Sequence, residues 1–108
     1  MQRSKLLTAL ATGITLLACS VGLAVADCRE DHVAADQNVR RTRAAIEKVM
    51  NDTEAAKCSA YRRHIVALTE QRAVIARCDT GPNRAKNVSA IDSQIADFSR
   101  RAEASCKR

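Results

Sequence analysis

Four cysteines, Cys28, Cys58, Cys78 and Cys106, are spread at wide intervals over residues 27–108, and nothing in that stretch resembles a metal-ligand or redox spacing. There is no C-x-x-C and no His pair at ligand distance, so neither a structural zinc site nor a thioredoxin-like centre is expected. An even number of cysteines in a short chain points to disulfides. A domain this small buries too little apolar surface to dispense with staples.

The fifth cysteine, Cys19, lies in a segment of another kind. Arg3 and Lys5 are followed by an uncharged run rich in Leu, Ala, Ile and Val, and Ala24-Val25-Ala26 supplies small residues before Asp27. This is the pattern of a secretory signal peptide over residues 1–26, cleaved to leave a single helical domain over residues 27–108. Two other readings remain: a retained membrane anchor, and a lipoprotein box at Leu16-Leu17-Ala18-Cys19 that would tether the chain at a lipidated Cys19. Export places the domain in the periplasm or outside the cell. Its short positive start and Ala-rich leader lean bacterial, so the sequons at Asn51 and Asn87 are taken as chance.

Composition narrows the fold. Aromatic residues are 2% of the chain, with three Gly and one Pro, too few large and turn-forming residues for a β-sandwich or barrel. The apolar residues Ala35, Val39, Ile46 and Val49 recur at helical spacing. A second stripe, Cys58, Tyr61, Ile65, Leu68, Ile75 and Cys78, is out of phase with the first, which implies a turn near Asn51-Asp52-Thr53. Asn51 with Glu54 has capping-box spacing, and Asp52 or Thr53 can cap as well. With no Gly or Pro at this turn, one long bent helix is the alternative. Gly81-Pro82 marks a clearer break, with Gly81 read as a helix end. A third stripe follows: Val88, Ile91, Ile95, Phe98, Ala102 and Cys106. The expected helices are 30–51, 54–78 and 84–106, the last beginning nearer Asn87 if Arg84 and Lys86 are kept off the positive end of its dipole.

Short connections make this an all-α, antiparallel, up-down-up three-helix bundle. The cysteine pairing then follows from geometry. Cys58 and Cys78 open and close one helix, roughly 30 Å apart, whereas disulfide Cα atoms lie about 4.4–6.8 Å apart. That pair and its complement Cys28–Cys106 are excluded. Cys28–Cys58 would need the two ends of one helix to meet. The expected bridges are Cys28–Cys78 and Cys58–Cys106. Ile46, Tyr61 and Phe98 should form one packing layer, with the Tyr61 hydroxyl reaching solvent or a polar partner.

The residues that suggest function are cationic. Arg40, Arg41 and Arg43, then Arg62 and Arg63, then Arg100 and Arg101 give one cluster per helix and a candidate binding surface for an anionic or acidic partner. The bland reading is a solvated face, in which Asp36 pairs with Arg40 and Arg43 with Glu47 at i,i+4. The net charge is +6, of which two charges belong to the leader. This is not the dense basic stripe of a nucleic-acid binder. His32 and His64 fall towards opposite ends and read as partly buried structural residues. No serine stands in a nucleophile motif, and there is no phosphate-cradling loop. The expected role is therefore non-enzymatic, with no cofactor or metal: binding of another envelope or secreted protein through a helix face. The alternative is charge-driven binding of anionic lipid or polysaccharide. Ala-rich stripes leave a homodimer open.

Overall fold

The computed structural model describes residues 12–107, with side-chain surroundings from Asp27 onward. Arg3, Lys5, the side chain of Cys19 and the Ala24-Val25-Ala26 motif lie outside that description. Three helices follow in order: α1 (Thr12–Val49), α2 (Glu54–Cys78) and α3 (Gly81–Cys106). No strand occurs among the described residues, and the helices form a three-helix bundle. The chain divides into two compact units, Met1–Glu30 and Asp31–Arg108, and the core lies in the second. Helix α1 begins well before residue 30, since the Ala- and Leu-rich run ahead of it also favours helix.

The first break is a turn, not a bend. The Asp52 N–H donates to the Val49 carbonyl and the Asp52 carboxylate accepts from Thr53 N–H. Thr53, extended at φ −63° and ψ 157°, then caps α2, its hydroxyl accepting the Ala56 N–H at 3.1 Å. The cap is Thr53 rather than Asn51, and Glu54 instead pairs with Lys57 at 3.1 Å. Substituting Thr53→Ala removes the acceptor for one orphan donor. It is expected to lower stability by about 1 kcal/mol, read as a reduced urea midpoint with unchanged slope.

The second break differs from expectation. Gly81 does not close α2; that helix ends at Asp79, whose N–H donates to the Ile75 carbonyl. Gly81 opens α3 with φ +66°, and a Cβ there would meet nothing, so the demand for glycine is conformational alone. Pro82 follows in the first turn, where its missing N–H would be unsatisfied anyway. Helix α3 thus starts earlier than 84 or Asn87. Arg84 and Lys86 are exposed, so water screens their repulsion from the dipole. The Asn87 side chain turns back to donate to Asp79 at 3.0 Å.

The core has two parts joined by Phe98. Val39, Ala67, Leu68, Ile75 and Ile91 form one, and Ile46, Ala60, Tyr61 and Ala102 the other; Phe98 packs against both. The expected layer is present: Ile46 and Tyr61 share a cluster with Phe98, and the two rings lie 6.2 Å apart. The buried Tyr61 hydroxyl donates to Met50 Sδ at 3.9 Å. The stripe read along α2 was too narrow. Ala60, His64 and Ala67 are buried as well, because α2 is the middle helix and covers two adjacent faces. The small side chains of Ala60 and Ala67 suit close approach of a neighbouring helix.

Cys58 and Cys106 are bridged, with Cα atoms 5.0 Å apart. Cys28 and Cys78 are disulfide cysteines too, which completes two pairs at bonding distance. Ion pairs Arg77–Asp31 and Arg72–Asp92 and the contact of His32 Nε2 with the Asp79 carboxylate lie at the surface between neighbouring helices. Exposed pairs of this kind contribute little each.

Candidate functional site

The arginines do not converge. Adjacent helical residues point about 100° apart, which sets the neighbouring arginines of α1 and of α3 in different directions. Arg40 is held by Asp36 at 3.1 Å. Asp97 takes both Arg100, at 3.4 Å, and Arg101, at 3.2 Å. Arg101 also lies over the Phe98 ring, 5.2 Å from its centre. These three cations are answered within their own helices. The expected Arg43–Glu47 pair does not form; Arg43 instead raises the potential at His64. Arg41 lies along a groove that also holds Asp31, Asn38 and Glu70, and Asn38 donates to Glu70 at 3.3 Å.

Arg62 and Arg63 do come together. They line a cleft of about 430 Å³ whose other walls are Ala55, Ser59, Ser105 and the Cys58–Cys106 disulfide. No carboxylate lines it. Among the described residues neither arginine has an ion-pair partner. Ser105 is only 7% exposed, and its hydroxyl makes no hydrogen bond among the described residues. The sequence stripe ran from Ala102 to Cys106, one helical turn at i+4. The equally valid i+3 step from Ala102 would have found Ser105.

His64 is more deeply placed than the edge of a stripe. It is fully buried, with 0% exposure, and Phe98 meets it edge-on at 4.4 Å between ring centres. Its Nδ1 lies 2.7 Å from the Thr42 hydroxyl. That hydroxyl has one proton, which goes to the Val39 carbonyl at 3.0 Å. Thr42 therefore accepts from His64 Nδ1–H, and Nε2 is left as a bare lone pair with no partner. Burial, and secondarily the charge of Arg43, push the imidazole below its usual value. A hydroxyl and an imidazole at this distance resemble a nucleophile and its base; here the ring is fully buried and its Nε2 has no partner among the described residues. His32 sits elsewhere, half-exposed, with Nε2 3.1 Å from Asp79.

Among the described residues no group of three or more His, Cys, Asp or Glu side chains is arranged to hold a metal. No described helix is long and apolar enough to cross a membrane. The molecule belongs to the class of disulfide-stapled helical bundles, and its paired cysteines mark a non-reducing environment. No known protein family, curated protein or solved structure matches the chain.

Proposed function

We propose that this is an exported protein, most consistent with a bacterial periplasm, whose residues 1–26 are a cleaved leader and whose helical domain binds another envelope protein without catalysis. The observation that carries the reading is the set of cations left unanswered. Arg41, Arg43, Arg62 and Arg63 have no ion pair among the described residues, nor do Arg29, Lys48, Arg84 and Lys86, while Arg40, Arg72, Arg77, Arg100 and Arg101 each have one. The planar guanidinium fork is pre-organised for bidentate bonds to carboxylate or phosphate, so less entropy is lost per hydrogen bond formed. The absence of a carboxylate from the Arg62–Arg63 cleft favours a second reading, capture of anionic envelope lipid or polysaccharide by charge.

Native mass spectrometry of the unreduced protein from its own host, combined with a salt titration, tests the reading. A start at Asp27, two disulfides and a protein partner retained in about 0.5 M salt, where the Debye length is only a few ångströms, is the expected result. Binding that vanishes with salt moves the assignment to the charge-driven alternative. A lipidated start at Cys19 overturns the cleaved-leader reading.

A further inference from the structure

We propose that the cleft beside the Cys58–Cys106 disulfide is a binding site for a phosphate monoester group. The inference stands whether or not the physiological partner is a protein, and so goes beyond the reading above.

Four donor-bearing side chains face this one cleft. Arg62 and Arg63 each present a fork of N–H donors, and Ser59 and Ser105 present hydroxyls. Because they arrive from two turns of α2 and from the end of α3, they approach from different directions. A planar carboxylate offers two oxygens in one plane. A tetrahedral phosphate offers several, spread in space, and two negative charges against two guanidinium groups. Ser105 is the informative residue. The residue is 7% exposed and its hydroxyl makes no hydrogen bond among the described residues, yet the oxygen is not cut off from solvent, so it can bond a group held in the cleft that it lines with the two arginines.

The local field agrees. Ala55 and Cys58 belong to the first turns of α2, whose positive end favours an anion. The last carbonyls of α3 oppose it, but half a charge does not offset two arginines, and Lys107 sits beyond them on Glu103. The other clefts lack this balance. The groove with Arg41 carries Asp31 and Glu70. In the cleft near the start of α3, Arg72 is already held by Asp92. The volume of about 430 Å³ admits a phosphate together with a sugar-sized substituent.

The test is a titration of the ¹⁵N-labelled, disulfide-intact protein with inorganic phosphate, chloride being adjusted to hold ionic strength constant. Saturable amide shifts at Ser59, Arg62, Arg63 and Ser105 are expected. The double variant Arg62→Gln/Arg63→Gln should weaken binding at least about tenfold, and Ser105→Ala about threefold. Arg84→Gln should leave it unchanged. Both arginines are exposed, so the double variant is expected to keep the wild-type thermal midpoint. Shifts that never saturate, that spread equally over Arg41, Arg43 and Arg84, or that survive the double substitution overturn the site. A hexose phosphate and vesicles of phosphatidic acid, with phosphatidylcholine as control, separate the sources. If both phosphate and the hexose phosphate saturate while vesicles stay unbound, the site holds and its ligand is soluble. If they saturate and acidic vesicles bind as well, it holds and extends to lipid. Vesicle binding with no saturation by phosphate or the hexose phosphate overturns the site but leaves the charge-driven alternative standing.

Discussion

Replacing Cys58 and Cys106 together by serine should destabilise the bundle by about 4 kcal/mol on the chain-entropy account of a cross-link, a shift large enough to unfold a marginal domain at body temperature. The bridge joins positions 48 apart in sequence. It therefore removes many conformations from the unfolded chain. What makes the effect decisive is the core it supports. Of the ten buried apolar side chains among the described residues, four are alanines: Ala35, Ala60, Ala67 and Ala102. An alanine side chain offers little area to withdraw from water, so the helices hold one another less firmly than leucine-rich seams would. The double variant is the right comparison, since a single substitution leaves a free thiol beside Arg62 and Arg63. Urea unfolding of the oxidised protein and of the variant checks the expectation. A difference below about 1 kcal/mol would mean that the α2–α3 interface suffices without the bridge, and that the chain-entropy term overstates the effect here.

That bridge was also the most legible part of the fold. Its pairing follows from two exclusions, since Cys58 and Cys78 lie at opposite ends of one helix and Cys28 and Cys58 at opposite ends of another. The helices were legible where apolar residues repeat, as in Val39, Ile46, Leu68, Ile75 and Ile91. Less could be read where the same residue serves two purposes. Pro82 can end one helix or begin the next, and only the positive φ of Gly81 decides between them. Ala60 and Ala67 look like solvent-facing helix formers until α2 is known to lie between two neighbours. His64 was misplaced for the same reason, since periodicity shows that a face is apolar but not how many faces are covered. Charges behaved likewise. The i,i+4 pair of Asp36 with Arg40 is visible in the sequence, whereas Arg72–Asp92 and Arg77–Asp31 depend on how helices are set side by side. Asp97, at i,i+3 and i,i+4 from Arg100 and Arg101, is visible in the same way, whereas the cleft that Arg62 and Arg63 share with the end of α3 is not.

The wild-type protein should lose stability on acidification below about pH 6.5, the ordinary imidazole value, and a His64→Leu variant should lose less. Protonating His64 places a charge and a new Nε2–H in a site with 0% exposure and no acceptor. Burial is the main reason the folded-state value is depressed, and the Arg43 guanidinium from α1 adds repulsion. On the α3 side, the Phe98 ring stands nearly perpendicular to the imidazole, and Arg101 lies over the Phe98 ring. The sign follows from proton counts. Above pH 6.5 neither state holds the proton. Between that value and the lower folded one, the unfolded chain binds a proton that the native chain refuses, so stability falls as pH falls, by up to about 1.4 kcal/mol per pH unit. Below the folded value both states are protonated and the contribution stops changing. The variant isolates this group, because every other ionisable side chain is common to the two proteins and cancels in the difference. At neutral pH the substitution itself should cost little. It gives up the bond to Thr42, but Thr42 keeps its bond to the Val39 carbonyl, and an unpaired buried nitrogen is removed. Urea midpoints of the two proteins from pH 7.5 down to 5 give the answer. A wild-type-minus-variant difference that stays flat across this range would show that His64 takes up a proton in the folded state as readily as in the unfolded chain, and that the cavity around Nε2 opens to water.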